Sequence, residues 1–160
     1  MDFVWQEVLA GLGDWRQLVR VLLRLVFASL LGAVMGYERL REHRAAGLRT
    51  HMLVALGAAM FTLIPLEYNR MDVRDLSRVI QGVATGIGFL GAGTILKLSE
   101  EHRIEGLTTA ASIWVTAAAG MGVGAGWWGP ALGGVLLGWF ILFGLHNLER
   151  RLRGKDGGPS

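Results

Sequence analysis

The sequence predicts an all-α, polytopic membrane bundle of five spans, and three observations carry that reading. Hydrophobic residues make up 52% of the 160-residue chain and charged residues only 18%, with a mean hydropathy of +0.41. Soluble proteins carry roughly 25% charged residues, so this surface needs a solvent other than water. The apolar residues also fall into five runs, each near the length of about 20 residues that a helix needs to cross a bilayer. Finally, the basic clusters flank those runs, a placement that fits a membrane protein and not a nucleic-acid binder. Five spans use about 100 residues, which excludes a large domain outside the membrane. The 24 glycines follow no three-residue period, so a collagen-like fold is excluded as well.

Residues 1–17 are expected to form an interfacial helix. Phe3, Val4, Trp5, Val8, Leu9 and Leu12 recur at helical spacing, with Trp5 and Trp15 at headgroup level. The segment has no basic start and no small-residue cleavage site, so it does not read as a signal peptide. Residues 18–146 hold the transmembrane domain, with spans at 18–37, 50–66, 78–98, 107–125 and 128–145. Gly126-Trp127 separates the last two, and Pro130 near the next helix start marks a tight turn between antiparallel helices. Residues 147–160 form a basic, flexible cytoplasmic tail.

Charge orients the bundle. The linker after the first span carries Arg39, Arg41, Arg44 and Arg49. Lys97 and Arg103 flank the third linker, and Arg150, Arg151, Arg153 and Lys155 lie in the tail. The opposite side has Arg16, Arg70, Arg74 and Arg78. The excess places the N-terminus outside and the C-terminus in the cytoplasm.

An internal repeat is visible at an offset of 59. Residues 31–50 read LGAVMGYERLREHRAAGLRT and residues 90–109 read LGAGTILKLSEEHRIEGLTT, with nine of twenty positions identical and no gap. Each segment covers a helix end, a loop and the next helix start. Residues 24–66 and 83–125 are therefore expected to be two parallel helical hairpins, with the fifth helix outside the repeat. Their EHR loops would lie side by side at the cytoplasmic face.

Several residues are candidates for chemistry. Gly82, Gly86, Gly88, Gly91 and Gly93 crowd the third span. Small residues let membrane helices approach closely, so Gly82, Gly86, Gly88 and Gly93 are read as packing positions, with exposed backbone lining a polar path as the alternative. Thr109, Ser112 and Thr116 form a polar stripe on the fourth span. Their hydroxyls either satisfy the helix's own carbonyls or face the third span or an ion path. Trp114 needs a partner for its indole N–H if it is buried.

Arg24 is the deepest charge, and pairing with an acid such as Asp14 or snorkelling are its simplest roles. Glu38 and Glu67 fall at helix ends, and no acid or histidine occupies the middle of a span, which gives proton-driven pumping little support. The pairs Glu42-His43 and Glu101-His102 read as salt-bridged loops, or as a pseudosymmetric metal or pH-sensing site; His51 and His146 lie near the same face. With no cysteine, phosphate loop, HExxH or nucleophile elbow, no enzymatic motif is present.

Three blocks in order, namely LGAVMGYERLREHRAAGLRTHMLVALGAAMFTL, GIGFLGAGTILK and GLTTAASIWVTAAAGMGVGAG, closely resemble the MgtC/SapB family of bacterial inner-membrane proteins. The likeness runs from about Arg24 to Gly126. It implies a small helical protein of the bacterial inner membrane linked to magnesium homeostasis or virulence. The resemblance further implies regulation of a partner membrane complex such as the rotary ATP synthase, with transport of Mg²⁺ or another small ion by an oligomer as the alternative. The matching motif residues are Glu38, Arg39, Gly47, Leu48, Arg49, Thr50 and His51, then Gly86, Gly88, Phe89, Gly91 and Gly93, then Gly106, Leu107, Thr109, Ala110, Ala111 and Trp114. The virulence branch has Asn at the place of Thr108, Cys at that of Val115, and a soluble C-terminal domain, so the likeness is to the short, SapB-like form.

The resulting expectation is a non-enzymatic membrane protein with no cofactor, unless Mg²⁺ is sensed or carried. Its partners would be the lipid bilayer, a second copy (a dimer) and another membrane protein, with no nucleic acid. The residues expected to serve a ligand or an ion path are Arg24, Glu38, Arg39, Arg49, Thr50, His51, Gly91, Thr108, Thr109 and Trp114.

Overall fold

A computed structural model describes residues 4, 14–68, 76–98 and 103–145. The chain runs through helix α1 (Trp15–Arg41), α2 (Leu48–Tyr68), α3 (Leu76–Gly93), a two-stranded hairpin, α4 (Leu107–Gly124) and α5 (Trp128–Phe140), which continues as a π-helical turn, Ile141–Leu145. The hairpin pairs β1 (Leu96–Leu98) with β2 (Arg103–Glu105), Leu96 opposite Glu105. Among the described residues the regular structure is thus helical apart from two three-residue strands. Among the described residues, four helices are long and apolar enough to cross a membrane: α1, α2, α4, and α5 with its π turn. The protein is therefore a multi-pass membrane protein. Helix α3, with Arg78 and Gln81 in its first turns, is not among those four.

Most helix limits lie within a few residues of the expected spans, but the third differs. It was expected to reach residue 98, yet α3 ends at Gly93 and residues 96–98 form β1. Thr94 turns its hydroxyl back to the Gly91 carbonyl at 2.8 Å, an early closure that releases the chain into the hairpin. Gly106 seats the hairpin on the start of α4. Its φ is +92°, and a Cβ there would overlap the Thr94 carbonyl. Residues 1–13 apart from Val4, and 146–160, lie outside the described residues, as do Glu101, His102 and His146. Trp15 belongs to the first turn of α1.

Two helix ends close in the same way. At the α1 end the Arg44 N–H reaches the Arg39 carbonyl (3.1 Å) and the His43 N–H the Leu40 carbonyl (3.2 Å). This is the Schellman arrangement, and His43 occupies its left-handed position at φ 55°. At the α4 end Trp127 bonds Gly122 (2.7 Å), Gly126 bonds Val123 (2.9 Å), and Gly126 sits at φ 82°. The tight turn expected at Gly126-Trp127 is present.

Close backbone approach decides which helices form the centre. A Cβ on Gly32 would lie 2.5 Å from the His51 carbonyl oxygen, and one on Gly36 2.7 Å from Leu48 Cα. On α4, a Cβ at Gly120 would lie 2.9 Å from Ala55 Cα and one at Gly124 3.0 Å from Ala59 Cα. These contacts set α1 antiparallel to α2, and α2 parallel to α4. Around them an apolar core gathers Ala28, Leu31 and Met35 of α1, Ala59 of α2, Ala119 and Val123 of α4, and Ala131 and Val135 of α5. The Phe27 and Trp128 rings, edge to face at 4.9 Å, seat α5 beside α1.

The α3–α4 crossing is a looser version of the α1–α2 crossing. At the offset of 59, Gly32 against His51 corresponds to Gly91 against Ala110, where a Cβ would meet Ala110 Cβ at 3.5 Å. Helix α3 also reaches the centre through Ile87, which shares a core cluster with Ala58 of α2 and Ile113 and Ala117 of α4, and Val83 packs against the same cluster.

Glycines in tight and open places should respond oppositely to substitution. Gly120→Ala drives a methyl into the α2 backbone and is expected to destabilise by about 1–3 kcal/mol. Gly88→Ala meets nothing within 4 Å and should change stability by less than about 1 kcal/mol. Thermal unfolding in detergent micelles reads both.

Candidate functional site

A buried polar network lies where the C-terminal end of α1, the start of α2 and the first turns of α4 meet. His51 is fully buried. Its Nδ1 is 2.9 Å from the Gly47 carbonyl, and its Nε2 is 3.0 Å from the Ser112 hydroxyl. A carbonyl only accepts, so Nδ1 carries a hydrogen and donates. Ser112 Oγ is also 2.8 Å from the Thr109 carbonyl, and the Thr116 hydroxyl donates to the Ser112 carbonyl at 2.8 Å. A hydroxyl has a single hydrogen, so Ser112 donates either to Thr109 or to His51. A neutral His51 takes that hydrogen at Nε2. An imidazolium would donate to Ser112 and free its hydrogen for Thr109.

Beside this chain lies a buried ion pair. Glu38 and Arg39 are 5% and 3% exposed, and the Arg39 Nε donates to Glu38 Oε2. Arg39 Nη2 lies 3.9 Å from Glu42 Oε2, which also takes Arg44 Nε at 3.3 Å. Glu42, His43 and Arg44 are therefore a salt-bridged helix closure. The other Glu38 oxygen, Oε1, is buried and has no hydrogen-bond partner among the described residues. A buried carboxylate oxygen left unpaired carries a desolvation cost.

The far end of the bundle has its own latch. Arg24 Nη1 is 3.0 Å from Glu67 Oε1 and donates to the Gly124 carbonyl at 3.0 Å. Arg20 reaches Glu67 Oε2 at 3.4 Å, and Gln17 Nε2 donates to the Glu67 backbone carbonyl at 3.2 Å. The acid that answers Arg24 is thus Glu67 and not Asp14. The antiparallel α1–α2 packing brings residues 24 and 67 to one level, whereas Asp14 precedes the first turn of α1.

Of the residues expected to serve a ligand, His51 and Thr109 are brought together in the network, and Glu38 and Arg39 lie at the α1 end next to it. Arg24 belongs to the opposite end. Arg49, Thr50 and Thr108 are exposed, and Gly91 faces Ala110 and Trp114. Trp114 is half exposed, so its indole lies toward the bundle's surroundings. The Ser112 and Thr116 hydroxyls bond the α4 backbone, and Ser112 faces α2 through His51, not the third span. Among the described residues, Gly82, Gly86, Gly88 and Gly93 have nothing within 4 Å of a notional Cβ, so they make no tight contact within this chain. The tight pairs are Gly32/Gly36 and Gly120/Gly124. Both have the same GxxxG spacing as Gly82/Gly86, which is why spacing did not single them out.

A sequence model described as the MgtC family matches residues 25–151, most of the chain and all of this network. The chain belongs to the MgtC family. SrpB of Synechococcus elongatus is 45% identical over 148 residues, covering 86% of this chain and 80% of SrpB. YhiD of Escherichia coli K12 is 39% identical over 142 residues, covering 84% of this chain and 65% of YhiD. MgtC of Brucella abortus is 45% identical over 114 residues, covering 70% of this chain and 45% of MgtC. The chain thus spans under two thirds of YhiD and under half of MgtC. No solved structure matches it.

The His51–Ser112 link joins α2 to α4 inside a family domain. Ser112→Ala leaves Nε2 buried without a partner and should lower stability by about 1–3 kcal/mol. In a double-mutant cycle with His51→Leu the two losses should be non-additive by about 0.5–3 kcal/mol. Unfolding midpoints of the four proteins measure this coupling.

Proposed function

We propose that the protein is a non-enzymatic regulator of the bacterial inner membrane, which binds a partner membrane complex and bears on magnesium homeostasis. The observation that carries this reading is the closed polar interior. His51, Ser112 and Thr116 are buried and already bonded to each other or to helix carbonyls. A conduction path needs polar groups that exchange their partners for the passing ion. In this interior those groups hold helices together. Gly129 and Gly133 on α5 have open space above them, which supports close approach of a partner's helix. The magnesium link is supported by the family resemblance and by YhiD, whose name marks it as a candidate magnesium transporter.

In this reading all five helices cross the membrane, α3 included. The ten basic residues flanking one side against four on the other support a cytoplasmic C-terminus.

One observation favours the second reading, Mg²⁺ transport by an oligomer. Glu38 Oε1 is a buried carboxylate oxygen with no partner among the described residues, and Mg²⁺ is held through carboxylates and water. Sealed liposomes with an entrapped Mg²⁺ indicator separate the two. The regulatory reading expects influx equal to that of empty vesicles. Influx well above empty vesicles that disappears in Glu38→Gln would establish the transporter instead.

A further inference from the structure

A groove of about 790 Å³ opens sideways between α2 and α3. Gly57 of α2 and Gly82 and Gly86 of α3 line it, and a Cβ on any of the three would meet nothing within 4 Å. The remaining walls are almost wholly apolar, and the polar groups Arg49 and Thr50 stand at one end. Arg49 is exposed and makes no ion pair among the described residues. The groove therefore has at its mouth a positive charge that no described residue answers, and hydrocarbon surface along its length.

Its length and lining point to the kind of occupant. On α2 the lining runs from Arg49 to Phe61, which at 1.5 Å per residue is about 18 Å. One leaflet of a bilayer's hydrocarbon core is about 15 Å thick. The groove is thus as long as a single leaflet, with the charge at the headgroup end. Its walls are continuous hydrocarbon with one cation and one hydroxyl at a single end, which matches an acyl chain capped by an anionic headgroup.

We propose that this groove holds an acyl chain of an anionic phospholipid whose phosphate is bound by Arg49. Thr50 supplies a hydroxyl donor beside it, and the N-terminal end of α2 adds its positive dipole. The absence of side chains at Gly57, Gly82 and Gly86 leaves the room that the chain fills. Arg49 supplies the preference for a negative headgroup, since a basic side chain near the membrane surface favours anionic lipid. The α3 helix, loosely held by protein, is completed by lipid along this side.

Native mass spectrometry of the full chain, released from nanodiscs of equal phosphatidylglycerol and phosphatidylcholine, tests this. The wild type is expected to retain phosphatidylglycerol in preference to phosphatidylcholine. Arg49→Gln should reduce that preference about five-fold. Gly82→Leu combined with Gly86→Leu puts side chains into the groove at positions where an added Cβ meets nothing within 4 Å, and should remove the retained lipid while the thermal unfolding midpoint is held or raised. Equal retention of the two lipids by the wild type would overturn the proposal. So would an undiminished preference in Arg49→Gln or full retention in the filled-groove variant. Efficient disulfide cross-linking of Gly86→Cys between copies in the membrane would identify a second copy as the occupant and overturn it too.

Discussion

Helices in a bilayer gain little from burying apolar side chains, because lipid is as apolar as leucine; they associate where their backbones come close enough for dispersion and hydrogen bonding. In this protein that condition is met at two GxxxG pairs, Gly32/Gly36 on α1 and Gly120/Gly124 on α4. Both pairs press on one helix, α2, from two sides. The bundle is therefore organised around α2, and everything polar inside it depends on that spacing. With α1 at backbone contact near His51, the imidazole has no room toward α1 and reaches across to Ser112 on α4.

The same geometry explains the two latches. Because α1 and α2 are antiparallel and tightly crossed, Arg24 comes level with Glu67 and also reaches the Gly124 carbonyl near the end of α4. At the other end Glu38 and Arg39 are drawn into the protein as α1 closes at His43. One glycine-mediated contact thus places an ion pair at each end and a histidine bridge between α2 and α4. Helix α3 lacks the equivalent grip. Gly91 against Ala110 keeps the repeat's crossing point, but methyl meets hydrogen where carbonyl meets hydrogen in the other hairpin, and the side facing α2 is left open.

Much of the helical architecture was legible in the sequence, because the length of an apolar run is a property of composition over twenty residues. The turn at Gly126-Trp127 was legible for a local reason: glycine at a left-handed position and Pro130 in the next helix's first turn act within a few residues. What failed to show was which glycines touch. Gly82/Gly86 and Gly120/Gly124 have identical spacing, and the difference lies in what faces them across another helix. Arg24 shows the same limit. Its need for an acid was evident from burial in an apolar run, yet Glu67 becomes the nearer acid only once α2 folds back along α1. Within the site, Thr109 and His51 were among the expected ligand residues, while Ser112, whose hydroxyl lies between them, read only as a member of the stripe with Thr109 and Thr116. The EHR motif was visible as a repeat, and the His43 conformation gives it a backbone role that no side-chain chemistry suggested.

The central claim is that the polar groups between α2 and α4 are a closed fastening and not an aqueous route. The chain has no cysteine of its own, so single cysteines can report water access directly. The decisive measurement is the reaction rate of a small, membrane-impermeant thiol reagent with cysteines placed one at a time at Thr109, Ser112, Thr116 and Arg49, applied from each side of sealed membranes. The account predicts rapid reaction at position 49 from one side and no reaction at 112 or 116 from either. Reaction at 109, 112 and 116 in sequence, graded from one face inward, would show a continuous water path and contradict it.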